Sequence, residues 1–107
     1  MRYAVRVLAE AEDDLLEIHR YVSAADSPVK AWSLLDRLEE ACRSLSRFPD
    51  RGRIPPELRA AGVLLYREIL LKPYRIVYRI ERKLVHVYAV LDGRRDLTDI
   101  LEERLLR

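Results

Sequence analysis

Arginine is the residue with the most to do chemically in this chain. From Tyr66 the sequence runs YREILLKPYRIVYRIERKLVHVYAVLDGRRD, with Arg67, Arg75, Arg79, Arg94 and Arg95 set among apolar and tyrosine residues, and Arg53 shortly before. A guanidinium is a planar fork that matches carboxylate or phosphate in two parallel hydrogen bonds. So many of them on a few short strands form either a solvated face or a surface for something anionic. His86 and Tyr88 stand two apart, so on a strand they share a face. Both side chains can move protons, and the same spacing also suits an ordinary packing pair. His86 is therefore the candidate for proton transfer, and the candidate anion-binding set of the chain is Arg53, Arg67, Arg75, Arg79, Arg94 and Arg95.

Other chemistries find no support. Two histidines and one cysteine, widely separated, offer no metal-ligand spacing. Three glycines cannot build a Gly-rich phosphate loop. No cofactor is expected. Cys42 falls on the apolar stripe of a helix and reads as core, where a thiol is inert. Trp32 lies off that stripe, either bordering a partner or closing the edge of the core. His19 reads as a solvated surface residue.

The elements that must carry these residues follow from periodicity. Residues 2–8 alternate as a strand does. Ala11, Leu15, Ile18 and Val22 make one stripe of a first helix over 9–24. Its opening turns hold Glu10, Glu12, Asp13 and Asp14, where the helix dipole favours negative charge. Ser27 followed by Pro28 is a hydroxyl cap with proline at the first helical position. The second helix presents Ala31, Leu34, Leu35, Leu38, Ala41, Cys42, Leu45 and Phe48 and stops at Pro49. Residues 49–62, with three prolines and two glycines, read as a loop with no regular element. Strands are predicted at 63–71, 74–81 and 84–91. In the second of these, Tyr74, Ile76, Tyr78 and Ile80 oppose Arg75, Val77, Arg79 and Glu81. In the third, Val85, Val87, Ala89 and Leu91 oppose Leu84, His86, Tyr88 and Val90. That third strand is nearly all apolar and should be central. Asp92-Gly93 turns the chain, and Asp96 caps a short final helix. The order gives an α+β domain: a small sheet, made of the first strand and a three-stranded antiparallel meander, with a helical hairpin on one face and a short C-terminal helix. The guanidinium-bearing face is expected to be uncovered.

The bulk composition is globular. Of 107 residues half are apolar and 36% are charged, which fits one domain over 1–107. There is no long apolar run for a membrane span or a signal peptide, so no membrane partner is expected. A single cysteine, with no internal disulfide to form, points to the cytoplasm. Net charge is +2, unevenly spread. Residues 1–50 hold seven Lys/Arg against ten Asp/Glu, and residues 51–107 hold thirteen against eight. Two faces with different partners are one reading of that asymmetry; scattered surface charge is the other.

Several motifs in order resemble the RelE/ParE superfamily of bacterial toxins. They are Asp14-Leu15-x-x-Ile18-x-x-Tyr21, F-P-x-x-G-R at 48–53, P-P-E-L at 55–58, Y-R-E at 66–68, P-Y-R-I-V-Y-R-I at 73–80, D-G-R-R-D-L at 92–97 and R-L-L-R at 104–107. The resemblance implies the toxin of a type II toxin–antitoxin module, neutralised by a cognate antitoxin. The superfamily divides into RelE-like members, which cut mRNA on the ribosome, and ParE-like members, which poison DNA gyrase. The resemblance implies that Arg75 and Arg95 stand where RelE-like ribonucleases keep two arginines, so that, if the chain is a ribonuclease, the candidate catalytic set is Arg75, Arg95 and His86. Their two lysine positions are filled by Tyr66 and Glu68, their tyrosine position by Leu101, and the histidine position of other ribonuclease members by Leu91 and Asp92. In-line attack by a 2′-hydroxyl needs a base and stabilisation of the developing charge. An arginine binds phosphate but stays charged and shuttles no proton. The resemblance therefore favours the gyrase-directed side, with ribosome-dependent mRNA cleavage as the alternative. Helix one, a sheet edge and the tail from Ile100 to Arg107 are candidate surfaces for the antitoxin.

Overall fold

The computed structural model describes residues Arg2–Leu105. Leu106 and Arg107 of the tail motif lie outside the described residues. The elements run β1 (Ala4–Val7), α1 (Ala9–Ala25), α2 (Pro28–Arg43), α3 (Pro56–Ala60), β2 (Tyr66–Leu71), β3 (Tyr74–Glu81), β4 (Leu84–Asp92) and α4 (Leu97–Leu105). The sheet order is β1-β4-β3-β2, with β1 parallel to β4 and the rest antiparallel. The apolar β4 is thus an inner strand, as its composition demands.

Local signals place the helices. Ser27 accepts a hydrogen bond from the Lys30 amide at 3.1 Å and Pro28 opens α2. The stretch from 49 to 62 holds more structure than its prolines suggested: a turn of 3-10 helix at Pro49–Arg51, then α3. Pro56 sits at the start of α3, where its fixed φ suits the first turn and its missing N–H costs nothing.

The hairpin α1–α2 packs on one face of the sheet. Ala11, Leu15, Leu38, Cys42 and Leu45 meet Ile76, Tyr78, Val85, Val87 and Val90. Each fully buried Val, Leu or Ile here contributes roughly 1.5–3 kcal/mol relative to exposure. Burial, with Glu39 nearby, pushes the Cys42 thiol up to about 11, so it is an inert core residue. His19 is not simply solvated: its ring lies 4.4 Å from that of the exposed Trp32, and its Nε2 is buried without a hydrogen-bond partner.

The opposite face departs from expectation twice. First, it is not open along its whole length. α3 and α4 cover one half, closing Leu58, Leu97, Ile100 and Leu101 over Tyr66, Val77, Ala89 and Leu91. The tail from Ile100 is therefore largely part of the fold. Second, the side-chain alternation of β4 breaks. Tyr78 pairs with Val87 and Val77 with Ala89, leaving Tyr88 as an extra residue. Such a bulge shifts parity. Val85, Val87 and Val90 face the hairpin, whereas Ala89 and Leu91 join the second core.

One loop is pinned from inside. Tyr78 Oη donates to the Pro49 carbonyl and accepts from the Gly52 amide at 3.1 Å. Arg51 Nη1 donates to the carbonyls of Arg47 (2.7 Å), Ser44 and Phe48 (both 3.3 Å). A Cβ on Gly52 would strike the Tyr78 hydroxyl and come within 2.7 Å of the Glu68 carbonyl. Gly52→Ala should therefore destabilise by about 1–3 kcal/mol through overpacking, and Tyr78→Phe by about 1–2 kcal/mol through removal of the pair of hydrogen bonds. Urea unfolding monitored by circular dichroism measures both.

Candidate functional site

The arginines do not converge on one centre. Arg75 projects from β3 towards α3 and α4, and only 8% of its side chain is exposed. Its Nε donates to Glu68 Oε1 at 2.6 Å. Nη1 and Nη2 clasp Glu57 Oε2 and Oε1, both at 2.7 Å, and Nη1 reaches the Arg95 carbonyl at 3.2 Å. Glu68, with no side-chain exposure, also accepts from Arg53 Nε at 2.8 Å. The expectation that Arg75 offers an open guanidinium thus gives way to a chain of charges: Arg53, Glu68, Arg75, Glu57. The physical reason is electrostatic. A fully buried carboxylate needs an opposite charge and hydrogen bonds to be tolerated, and Arg75 supplies both. The hydrogen bonds from Arg75 hold the Glu57 carboxyl down to about 2, and Glu57 in turn raises the Arg75 guanidinium above its ordinary range. Glu57 Oε2 also accepts from the Leu97 amide at 3.2 Å, and Asp96 Oδ1 from the Thr98 amide at 2.8 Å, so α4 starts on two capped amides.

The other candidates are dispersed. Arg67 donates to the carbonyls of Asp50 and Gly52 at 3.1 and 2.7 Å, bracing the loop. Arg94, 89% exposed, pairs with Asp92 at 3.0 Å and depresses that carboxyl. Arg95 is exposed just before α4. Arg79 lies 3.4 Å from Glu81, and His86 Nδ1 is 3.9 Å from the same carboxylate. Arg79 and His86 are register partners. Arg75 is four residues away along β3, roughly 13 Å at strand rise. Arg75 and His86 therefore share no centre. Leu101, at the ribonucleases' tyrosine position, is buried in the second core.

Sequence reading missed one cluster. Asp14, nearly buried, accepts from the Val90 amide of β4 at 2.9 Å and holds Arg104 in two bonds of 2.8 and 2.6 Å. Arg104 also reaches the Tyr88 carbonyl at 3.0 Å and lies 3.6 Å from Glu10. This ties α1, β4 and α4 together. The acids of the first helical turns looked like dipole partners, and nothing local to them indicated a residue ninety positions away. Among the described residues no group of His, Cys, Asp and Glu could hold a metal ion, and no helix is long and apolar enough to cross a membrane.

A small mixed sheet, a helical hairpin on one face and a C-terminal helix on the other make the fold of the RelE/ParE superfamily, and the sequence comparisons place the chain among its toxins. The family model of the ParE toxin of type II toxin–antitoxin systems matches residues 5–97, and the chain belongs to that family. It is similar to Toxin ParE3 of Caulobacter vibrioides, 32% identical over 84 residues, which span 78% of this chain and 80% of the relative. Two solved structures share the fold. One, described as the chromosomal ParDE TA system from P. aeruginosa, has a TM-score of 0.72 at 18% identity, covering 85% of this chain and 96% of that one. The other, the toxin–antitoxin complex RelBE2 from Mycobacterium tuberculosis, has a TM-score of 0.63 at 23% identity, covering 86% and 99%.

Proposed function

We propose that this toxin halts growth by poisoning DNA gyrase in the cytoplasm, without cutting nucleic acid itself, and that a cognate antitoxin neutralises it. The observation that supports the non-catalytic reading is the state of Arg75. At the position where ribonuclease members keep a phosphate-binding arginine, its guanidinium is spent on Glu57 and Glu68. Two guanidiniums against two carboxylates leave that network with no net charge to attract a phosphodiester. The groups that Arg75 does reach are two carboxylates already held by cations and the Arg95 carbonyl, none of them poised as a general base. Poisoning gyrase asks for binding only.

For the antitoxin, a groove of about 310 Å³ lies between the hairpin and β1, with Val5, Val7, Leu15, Leu16, Leu35 and Cys42 forming its apolar lining and Glu12, Glu39 and Arg43 adding charge. β1 pairs with β4 alone, so its outer edge carries no strand among the described residues. The far edge, β2, is already partly occupied by the bridge of Arg53 to Glu68. A segment that folds on binding can fill such a groove and extend the free edge.

Inducing the chain without antitoxin, while following DNA and protein synthesis separately, tests the target. DNA synthesis should stop first, and purified gyrase should accumulate cleaved DNA when the toxin is added. If translation stops first with mRNA cut on ribosomes, the ribonuclease alternative replaces this reading.

A further inference from the structure

The half of the second sheet face that α3 and α4 leave uncovered carries a row that no single strand reveals. Arg6 of β1 is the register partner of His86 in β4, His86 of Arg79 in β3, and Arg79 of Tyr66 in β2. Register partners project to the same face, so Arg6, His86 and Arg79 lie side by side on the open half, and Tyr66 ends the row where the second core begins. At about 4.8 Å per strand the row is roughly 14 Å long, with the two guanidiniums about 10 Å apart. Arg6 is exposed and Arg79 one-third exposed. The exposed Arg82 and Lys83 continue the positive charge into the β3–β4 turn. One carboxylate, Glu81, faces this group, shared between Arg79 and His86 at 3.4 and 3.9 Å. His86 Nδ1 is buried and makes no hydrogen bond, so the ring spaces the arginines and does not face solvent through that nitrogen.

From this we infer that the open half-face binds the phosphodiester backbone of duplex DNA, independently of sequence. Spaced guanidiniums at Arg6 and Arg79, continued by Arg82 and Lys83, suit phosphate oxygens. The aromatic residues argue for a duplex over an unpaired strand. Tyr66 is buried, and Tyr88 packs edge-on against both it and His86, at interplanar angles of 87° and 85°. No stacked platform is offered to an unpaired base, which single-strand binders require. This surface is separate from the Arg75 network and from the groove beside β1. It goes beyond the proposed target by giving the toxin its own grip on DNA.

Fluorescence anisotropy of the full chain with a short fluorescein-labelled duplex tests it. Binding should weaken steeply with added salt. The double variant R6E/R79E should bind at least about tenfold more weakly and lower the salt slope by about 2, close to one for each phosphate no longer neutralised. R37E, on the solvent side of α2, should bind like the wild type, and circular dichroism should show all three proteins folded at the assay temperature even though R79E loses its pair with Glu81. The inference is overturned if the duplex does not bind at low salt, or if R6E/R79E binds it as the wild type does. It is equally overturned if a single strand of the same sequence binds more tightly, or if poly-glutamate binds in place of DNA. Because the assay contains no gyrase, its outcome is separable from that of the target experiment.

Discussion

Replacing Arg75 with alanine should destabilise the protein by about 3–5 kcal/mol, because it strips the partner from a carboxylate with no exposed side-chain surface. Glu68 would keep only Arg53, whose side chain is 56% exposed and therefore screened by water. Glu57 would be stripped of both bonds of its clasp and would retain only the Leu97 amide. The start of α4 should loosen with it. Urea unfolding at neutral pH measures the loss. A companion variant, Arg75→Met with Glu68→Leu, should recover much of it, since an apolar replacement of a buried pair is often neutral or better. If Arg75→Ala unfolds like the wild type, the guanidinium is not the counter-charge that Glu68 depends on. The pH dependence follows from the same group. The folded Glu57 carboxyl is depressed to about 2 from an ordinary value of 4.5. Its contribution is present above the unfolded value and is lost as pH falls through the folded one. Acid unfolding between those limits should therefore be shallower in Glu57→Gln than in the wild type.

The second large effect belongs to Asp14. Asp14→Ala should cost about 3–5 kcal/mol, leaving Arg104 a mostly buried cation without its bidentate partner and the Val90 amide in the sheet without its acceptor. Asp14→Asn keeps an acceptor for Val90 but removes the charge, so it should fall between alanine and the wild type. Hydrogen exchange adds a readout that global stability does not give. Amides of α4 should lose protection before those of β3 in Asp14→Ala, because Arg104 is the C-terminal anchor of that helix. Equal loss across all elements would mean that the pair only adds to overall stability.

Much of this fold was legible along the chain because its signals are local. The helix starts at Ala9 and Pro28, the hairpin turns at Lys72-Pro73 and Arg82-Lys83, and the apolar run of β4 each follow from a few adjacent residues. Ordered motifs from Asp14 to Leu97 carried the family. The charged side chains were a different matter. Period-two alternation correctly put Arg75 and Arg79 on one face of β3, but their fates diverge. α3 and α4 bring Glu57 over the first, while the second stays at the open end beside Glu81.

What the residue order determined, then, is which of the longer segments are helix and strand, though not the short α3 hidden among prolines, and that arginines alternate with apolar residues on a sheet. The tertiary structure alone decided which of those guanidiniums can meet an outside anion. That depends on carboxylates seven and eighteen positions away, on the extra residue at Tyr88 that reverses the faces of β4, and on a cross-strand register joining Arg6 to His86 and Arg79. Periodicity reports the direction a side chain leaves its strand. Coulomb attraction between distant parts of the chain, strengthened by burial, settles what it finds there.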